Sequence, residues 1–193
     1  ILEDGFPNEG IKYIHKKTVE KLSEILLDAT AEYPVCINYA DFKDDGEFRC
    51  IYIGTKETNP YIKLNSAKDL TKSEEYYIKV NNDTVMIEGY DDAGVLYGCV
   101  DFYGKYLVHQ RYTPDQGTYL KNIFEEALPD FEYTSYPAIK ERGLWTWGHV
   151  IYDFKGYIDN MLMLKMNTLT VWNDFAPINA KEMLEYAHSC NVK

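Results

Sequence analysis

Residues 139–148 read Ile-Lys-Glu-Arg-Gly-Leu-Trp-Thr-Trp-Gly, and residues 167–174 read Asn-Thr-Leu-Thr-Val-Trp-Asn-Asp. A helical pattern lies between them. The first run carries β-branched and aromatic residues in partial alternation over 139–147, which predicts a strand. Asp153 stands where a helix cap belongs. Phe154, Tyr157, Ile158, Met161, Leu162 and Lys165 then follow at the three-to-four spacing of one helical face. Asn167 reads as the helix end, and Thr168 to Trp172 as a second strand closed by polar residues. Two strands joined by a helix of this length predict a right-handed βαβ unit with parallel strands. Both strands finish in aromatic and polar clusters: Trp145, Trp147 and His149 on the first, Trp172, Asn173 and Asp174 on the second. In parallel α/β folds ligands bind at the C-terminal strand ends. An indole floor beside amide and carboxylate groups suits a sugar, whose apolar face stacks on the ring while its hydroxyls need aimed hydrogen-bond partners.

Upstream, Ile11, Ile14, Val19, Leu22, Ile25, Leu26 and Ala29 form an apolar stripe that predicts a helix over 11–32, stopped by Pro34. A short strand is expected at 35–39, an acidic solvated loop at 41–47, and a central strand at 48–54. Residues 55–65 read as a loop around Pro60, and Ser66 with Asp69 as the capping-box start of a short helix. Tyr76–Val80 and Thr84–Glu88 flank Asn81-Asn82-Asp83, a hairpin signal. Asp91 or Asp92 caps a helix predicted over 92–108. Gly94, Gly98 and Gly104 lower its propensity, which implies close packing against a sheet. Residues 109–137 hold four of the prolines and glycines and read as irregular, the place for a domain boundary. Downstream, Asn179 with Glu182 predicts a last helix containing Met183, Leu184, Tyr186, Ala187 and Cys190. A further strand is expected to follow it.

The 193 residues suffice for one large domain or two small ones, and 46% hydrophobic content supplies a core. A net charge of −11 argues against nucleic acid and anionic membrane surfaces as partners. No apolar run reaches membrane-spanning length. The four cysteines, Cys36, Cys50, Cys99 and Cys190, form no C-x-x-C pair and read as buried free thiols, with a Cys36–Cys50 disulfide left open. The chain carries no initiating Met and no signal peptide, and reads as a processed or cut form. Asn82-Asp83-Thr84 fits a glycosylation sequon. Zinc-protease, serine-hydrolase, P-loop and dinucleotide motifs are missing, so no metal and no cofactor is expected.

Ser73-Glu74-Glu75-Tyr76-Tyr77-Ile78-Lys79-Val80, followed by Val85-Met86-Ile87-Glu88-Gly89-Tyr90-Asp91-Asp92-Ala93-Gly94-Val95-Leu96-Tyr97-Gly98, resembles the small α/β domain that precedes the catalytic barrel in β-N-acetylhexosaminidases and α-glucuronidases. In that family an E-x-Y-x-I strand, an I-x-G strand and a D-x-x-G-x-x-Y-G helix start recur. Arg142-Gly143 is similar to the Arg-Gly of the first barrel strand, and Lys165-Met166-Asn167 to the K-x-N that opens the second. The resemblance implies an α+β accessory domain, a mixed sheet with helices packed on it, over residues 1–130. Residues 131–193 then start a (β/α)8 TIM barrel, about two of the eight units that fill roughly 250 residues. It implies a glycoside hydrolase of polysaccharide degradation and carbohydrate metabolism, with a secreted or periplasmic setting favoured. The catalytic carboxylates are expected on later strands, so these residues alone are expected to be inactive and the catalytic residues unknown.

The expected substrate-binding residues are Arg142, Trp147, Trp172, Asn173 and Asp174. Arg142 matches the family Arg that contacts sugar hydroxyls; an ion pair with a nearby carboxylate is its other reading. Trp145 reads equally as core, His149 as a surface loop residue, and Asp174 as a turn cap. The second strand of the family often carries His where this chain has Val171 to Asp174. A non-catalytic carbohydrate- or protein-binding domain is the alternative function. Open strand edges and uncovered barrel faces predict self-association.

Overall fold

The computed structural model describes residues 2–3, 9–30, 34–43, 46, 49–81, 84–107, 130–147, 150–172 and 179–193. In chain order these give β1 (Leu2–Glu3), α1 (Glu9–Thr30), β2 (Ile37–Asn38), a short 3-10 turn (Tyr39–Asp41), β3 (Cys50–Gly54) and α2 (Pro60–Asn65). They continue as β4 (Tyr76–Asn81), β5 (Thr84–Gly89), α3 (Asp92–Asp101), β6 (Phe131–Ser135), β7 (Gly143–Trp147), α4 (Phe154–Met163), β8 (Thr168–Trp172) and α5 (Ala180–Ser189). Six strands make one mixed sheet in the order β2-β1-β3-β5-β4-β6, and β7 and β8 make a separate parallel pair.

The mixed sheet is built on β3, β4 and β5. All five residues of β3 are buried, as befits a strand covered on both faces. It runs parallel to β5, pairing Ile51 with Val85 and Ile53 with Ile87. The β4–β5 hairpin pairs Ile78 with Ile87 and Asn81 with Thr84. Strand alternation sends Ile51, Ile53, Tyr76, Ile78, Val80, Val85 and Ile87 to one face, where they meet α1 and α3. Cys50, Tyr52, Tyr77 and Met86 go to the other face, against Ile62 of α2. There Tyr52 and Tyr61 stack with ring centroids 3.5 Å apart.

Asp91 caps α3 by accepting from the Gly94 amide at 2.8 Å. The glycines of α3 let the helix lie directly on the sheet. A Cβ at Gly94 would stand 2.3 Å from the Glu75 carbonyl, and one at Gly98 2.7 Å from Ile87 Cγ2. The helix then widens into a π-helical stretch over Phe102–Leu107. Helices α4 and α5 add Ile158, Met161, Leu162, Met183 and Ala187 to the same apolar cluster, and Cys190 and Val192 follow from the segment after α5, so one continuous core spans both sheets.

Several local expectations are corrected. The helix expected from Ser66 starts instead at Pro60: Asn59 accepts from the Tyr61 amide at 3.0 Å, and Pro60 takes the first helical position, where it needs no donor. Ser66 ends that helix, with its hydroxyl turned to Glu88. The first strand of the βαβ unit begins at Gly143 rather than 139. Helix α4 ends at Met163, and Lys165, not Asn167, takes the left-handed conformation (φ 54°) that closes it. Asn179 precedes α5 without a side-chain capping bond. Within the stretch expected to be irregular, Phe131–Ser135 is an edge strand paired antiparallel to β4. All four cysteines are free, and Cys36 is exposed rather than buried. Residues 108–129, 148–149 and 173–178, which include His149, Asn173 and Asp174, lie outside the described residues.

Candidate functional site

Strands β7 and β8 pair in parallel with Trp145 opposite Thr170, Thr146 opposite Val171 and Trp147 opposite Trp172. Period-two alternation divides their side chains. Leu169 and Val171 pack on the shared core. Trp145, Trp147 and Trp172 share the other face, which the described residues leave open: they are 65%, 74% and 56% exposed. The Trp145 and Trp172 rings lie 5.9 Å apart, tilted by 42°. Trp147 and Trp172 stand at the C-terminal ends of their strands, so the structure brings together two of the expected binding residues and adds Trp145 beside them.

Lys193 extends the parallel arrangement. Its amide donates to the Asn167 carbonyl at 2.9 Å, and its carbonyl accepts from the Leu169 amide at 2.9 Å. This is the two-bond pattern of a parallel bridge centred on Thr168 and Lys193.

Arg142 sits at the opposite, N-terminal end of β7. From Arg142 to Trp147 the extended chain covers roughly 16 Å. Every guanidinium donor of Arg142 meets a protein acceptor. Nε donates to the Lys165 carbonyl at 2.6 Å, and Nη1 to the Ile139 and Lys140 carbonyls at 2.5 and 3.2 Å. Nη2 meets the Tyr97 hydroxyl at 3.3 Å and Glu74 Oε2 at 2.9 Å.

Around this fork a polar node assembles. Asn167 is buried; its Oδ1 accepts from the Arg142 amide at 2.9 Å, and its Nδ2 donates to the Lys140 carbonyl at 2.8 Å and to Glu74 Oε1 at 3.3 Å. Asn191 Nδ2 donates to Glu74 Oε1 at 3.1 Å and to the Tyr97 hydroxyl at 3.0 Å. Burial raises the Tyr97 pKa, opposed by the hydrogen bond from Asn191. Next to the node, Asp101 joins Lys165 Nζ and the Tyr76 hydroxyl. Burial, reinforced by that bond to Asp101, pushes the Tyr76 hydroxyl far above the usual phenol range. Glu74, Tyr76, Tyr97, Arg142, Lys165 and Asn167 all belong to the short motifs quoted from the sequence. Their convergence was not read there.

Other chemistry is sparse. Among the described residues no group of three His, Cys, Asp or Glu side chains is placed to hold a metal ion. Burial pushes the Cys99 thiol well up and the Cys190 thiol up to about 11, so neither is a nucleophile near neutral pH. A depression of about 220 Å³ lies between α1 and α5, lined by Lys16, Glu20, Lys155, Glu182 and Tyr186 among others. Its charged side chains are each paired: Lys16 with Glu20 at 3.7 Å and Lys155 with Glu182 at 3.2 Å within the depression, and, to partners outside it, Lys17 with Asp159 at 3.3 Å and Glu185 with Lys181 at 3.8 Å.

No protein-family model matches the chain, and no curated protein does. Solved structures match its fold, two glycoside hydrolases among them. One is a GH138 enzyme targeting pectin rhamnogalacturonan II, with a TM-score of 0.59 and 17% identity over 100% of this chain and 23% of that one. The other is a GH115 4-O-methyl-α-glucuronidase with specificity for decorated arabinogalactans, with a TM-score of 0.62 and 15% identity over 93% of this chain and 26% of that one. At these identities the likeness is one of fold: a mixed α/β arrangement found in glycoside hydrolases. The chain spans about a quarter of the length of each structure it matches.

Proposed function

We propose that this chain is the N-terminal portion of a carbohydrate-active glycoside hydrolase, resembling the hexosaminidase and α-glucuronidase group. Residues up to about 135 form the accessory unit, and residues from about 139 open a (β/α)8 barrel. One observation carries the reading: β7, α4, β8 and α5 alternate, and Lys193 makes the next parallel bridge on the free edge of β8. Strand, helix, strand, helix, strand in one parallel sheet is how a barrel begins. The fold likeness to two much longer glycoside hydrolases supports it.

Barrel enzymes bind at the C-terminal strand ends, where Trp147 and Trp172 stand. In this reading their indoles stack against the apolar face of a sugar ring, with Asn173 and Asp174 following as hydrogen-bond partners. The tryptophans supply shape and dispersion and move no proton. The acid and base, or acid and nucleophile, are proposed to come from later strands, at the separation of about 5–5.5 Å for retention or about 6.5–9.5 Å for inversion. The parent hydrolyses an O-glycosidic bond in a secreted or periplasmic setting, and these residues alone hydrolyse nothing. Isolated, the chain is expected to self-associate through the uncovered tryptophan face.

The test compares this chain with one extended through eight βα units on a panel of chromogenic glycosides. Turnover by the extended chain alone supports the reading, and the best glycoside names the specificity. Turnover by this chain alone places the carboxylates within these residues and refutes it. Silence from both, with sugar binding retained, favours a non-catalytic binding domain instead.

A further inference from the structure

We propose that Glu74 is the hub of an inter-unit latch that sets the position of β7 and β8, and so of the tryptophan face, relative to the six-stranded sheet. The inference does not depend on the carbohydrate reading. Glu74 lies just before β4, in the first unit. Its carboxylate meets Arg142 Nη2 at 2.9 Å, Asn191 Nδ2 at 3.1 Å and Asn167 Nδ2 at 3.3 Å, all in the second unit. The Glu74 backbone is fixed in turn by Asp91, whose carboxylate accepts from the Glu74 amide at 3.0 Å while capping α3.

Backbone conformation points to the same place. Among the described residues, the non-glycine residues with positive φ are Glu74 (64°), Lys165 (54°) and Asn191 (58°). All three belong to this node: Glu74 and Asn191 through their side chains, Lys165 through the carbonyl that accepts from Arg142. A left-handed residue that is not glycine is uncommon and persists where its surroundings over-determine it. Three converging from turns far apart in sequence mark a built junction.

The chemistry suits orientation rather than adhesion. The shared apolar core already holds the units together, and apolar contact is non-directional. A guanidinium is a rigid planar fork, and with all its donors engaged it tolerates no shift of β7 against its acceptors. Arg142 thereby takes the second of its two readings, an ion pair, and acts as a positioning residue. The bridge from Lys165 to Asp101 and Tyr76 adds a neighbouring contact of the same kind.

The test uses the full chain. Amide hydrogen exchange is followed separately in β3–β5 and in β7–β8, with the circular dichroism of the Trp145–Trp172 pair as a second signature. In Glu74→Gln, β7–β8 exchange is expected to quicken by about tenfold or more and the paired-tryptophan band to shrink, while β3–β5 stays within about twofold of the parent. Glu182→Gln, which removes the exposed ion pair between Lys155 of α4 and Glu182 of α5, is expected to change neither. Unchanged β7–β8 exchange in Glu74→Gln overturns the proposal. An equal loss of protection in both sheets also overturns it, since that would be adhesion alone. If Glu74→Gln does not accumulate folded, Asn191→Gly decides. It relieves the positive φ and deletes two hydrogen bonds, so the latch requires faster β7–β8 exchange, whereas a merely conformational role for Asn191 gives equal or slower exchange.

Discussion

Adding one methyl group at two places on the same helix is expected to have opposite effects. Gly104 lies in the π-helical continuation of α3, and a Cβ there meets nothing within 4 Å among the described residues. Gly104→Ala therefore keeps the helix-propensity gain of about 0.5–1 kcal/mol. At Gly94 the same methyl would stand 2.3 Å from the Glu75 carbonyl oxygen, 3.2 Å from its carbon and 3.3 Å from the Gly89 Cα. These are backbone atoms, and the carbonyl also accepts from the Tyr90 amide at 2.8 Å, so it cannot tilt away without losing that bond. The helix would have to lift by about 1 Å to reach ordinary contact, loosening the packing of Gly98 on Ile87 and Tyr76 as well. Overpacking of this kind costs about 1–3 kcal/mol, and rigid backbone on both sides puts Gly94 at the upper end. After the propensity gain, a net loss of about 2 kcal/mol is expected for Gly94→Ala. With a urea dependence of about 2 kcal/mol per molar, the midpoint falls by about 1 M, and that of Gly104→Ala rises by about 0.3–0.5 M. Urea melts followed by far-ultraviolet circular dichroism measure both. A Gly94→Ala midpoint at or above the parent value would refute the close-approach argument.

Asp91→Ala removes the cap of α3 together with the acceptor for the Glu74 amide and Ser73 hydroxyl, and is expected to lower stability by at least about 1–2 kcal/mol in the same melts. Trp147→Ala, at a 74% exposed position, is expected to change stability by less than about 0.5 kcal/mol while weakening oligosaccharide binding by the extended enzyme, read by calorimetry; unchanged binding would remove Trp147 from the sugar site. Burial raises the Glu88 carboxyl, so its charged form opposes folding near neutral pH and protonation relieves this as pH falls through the raised pKa. Glu88→Gln is expected to raise the thermal midpoint at neutral pH and to flatten its change as pH falls through the raised carboxyl pKa toward the ordinary one. Asp159 has the opposite sign. Burial works to raise it, but the Tyr186 hydrogen bond with Lys17 and Lys21 outweighs this and leaves it lowered. Its stabilising contribution is present above the ordinary carboxylate pKa and is lost as pH falls through the lowered one. Asp159→Asn should therefore weaken acid sensitivity, and an unchanged acid limb in the thermal midpoint would count against it.

What the sequence shows clearly is what short-range rules govern. The β4–β5 hairpin announces itself through alternation and a polar turn, and α3 through Asp91 and its glycines. The β7–α4–β8 unit is visible because each piece has its own periodicity. Helix α2 was hidden because Pro60 reads as a breaker until Asn59 is seen as a cap. Strand β6 alternates Phe131, Tyr133 and Ser135 with exposed residues, yet it lies between prolines and pairs with β4, far earlier in the chain, which no local pattern announces. The aromatic clusters at the strand ends were legible, but that Trp145 and Trp147 share a face with Trp172 follows from the β7–β8 register, which no local pattern fixes. The polar node was not: Asn191 and Glu74 are separated by 117 positions, and Arg142 and Tyr97 by 45. Their motifs were recognisable one by one, but only the tertiary packing shows that they meet.

Strands β7 and β8 are held at one end and present their indoles at the other. The residues that fix them, Arg142 and Asn167, precede the strands, while Trp147 and Trp172 close them and reach no part of the polar node. Selection can therefore act on the two ends independently. A lineage could exchange the aromatic residues, or the short segments that follow them, and acquire a new ligand preference without disturbing what keeps the strands in register. Such a molecule would diversify at its rim while its foundations stayed constant.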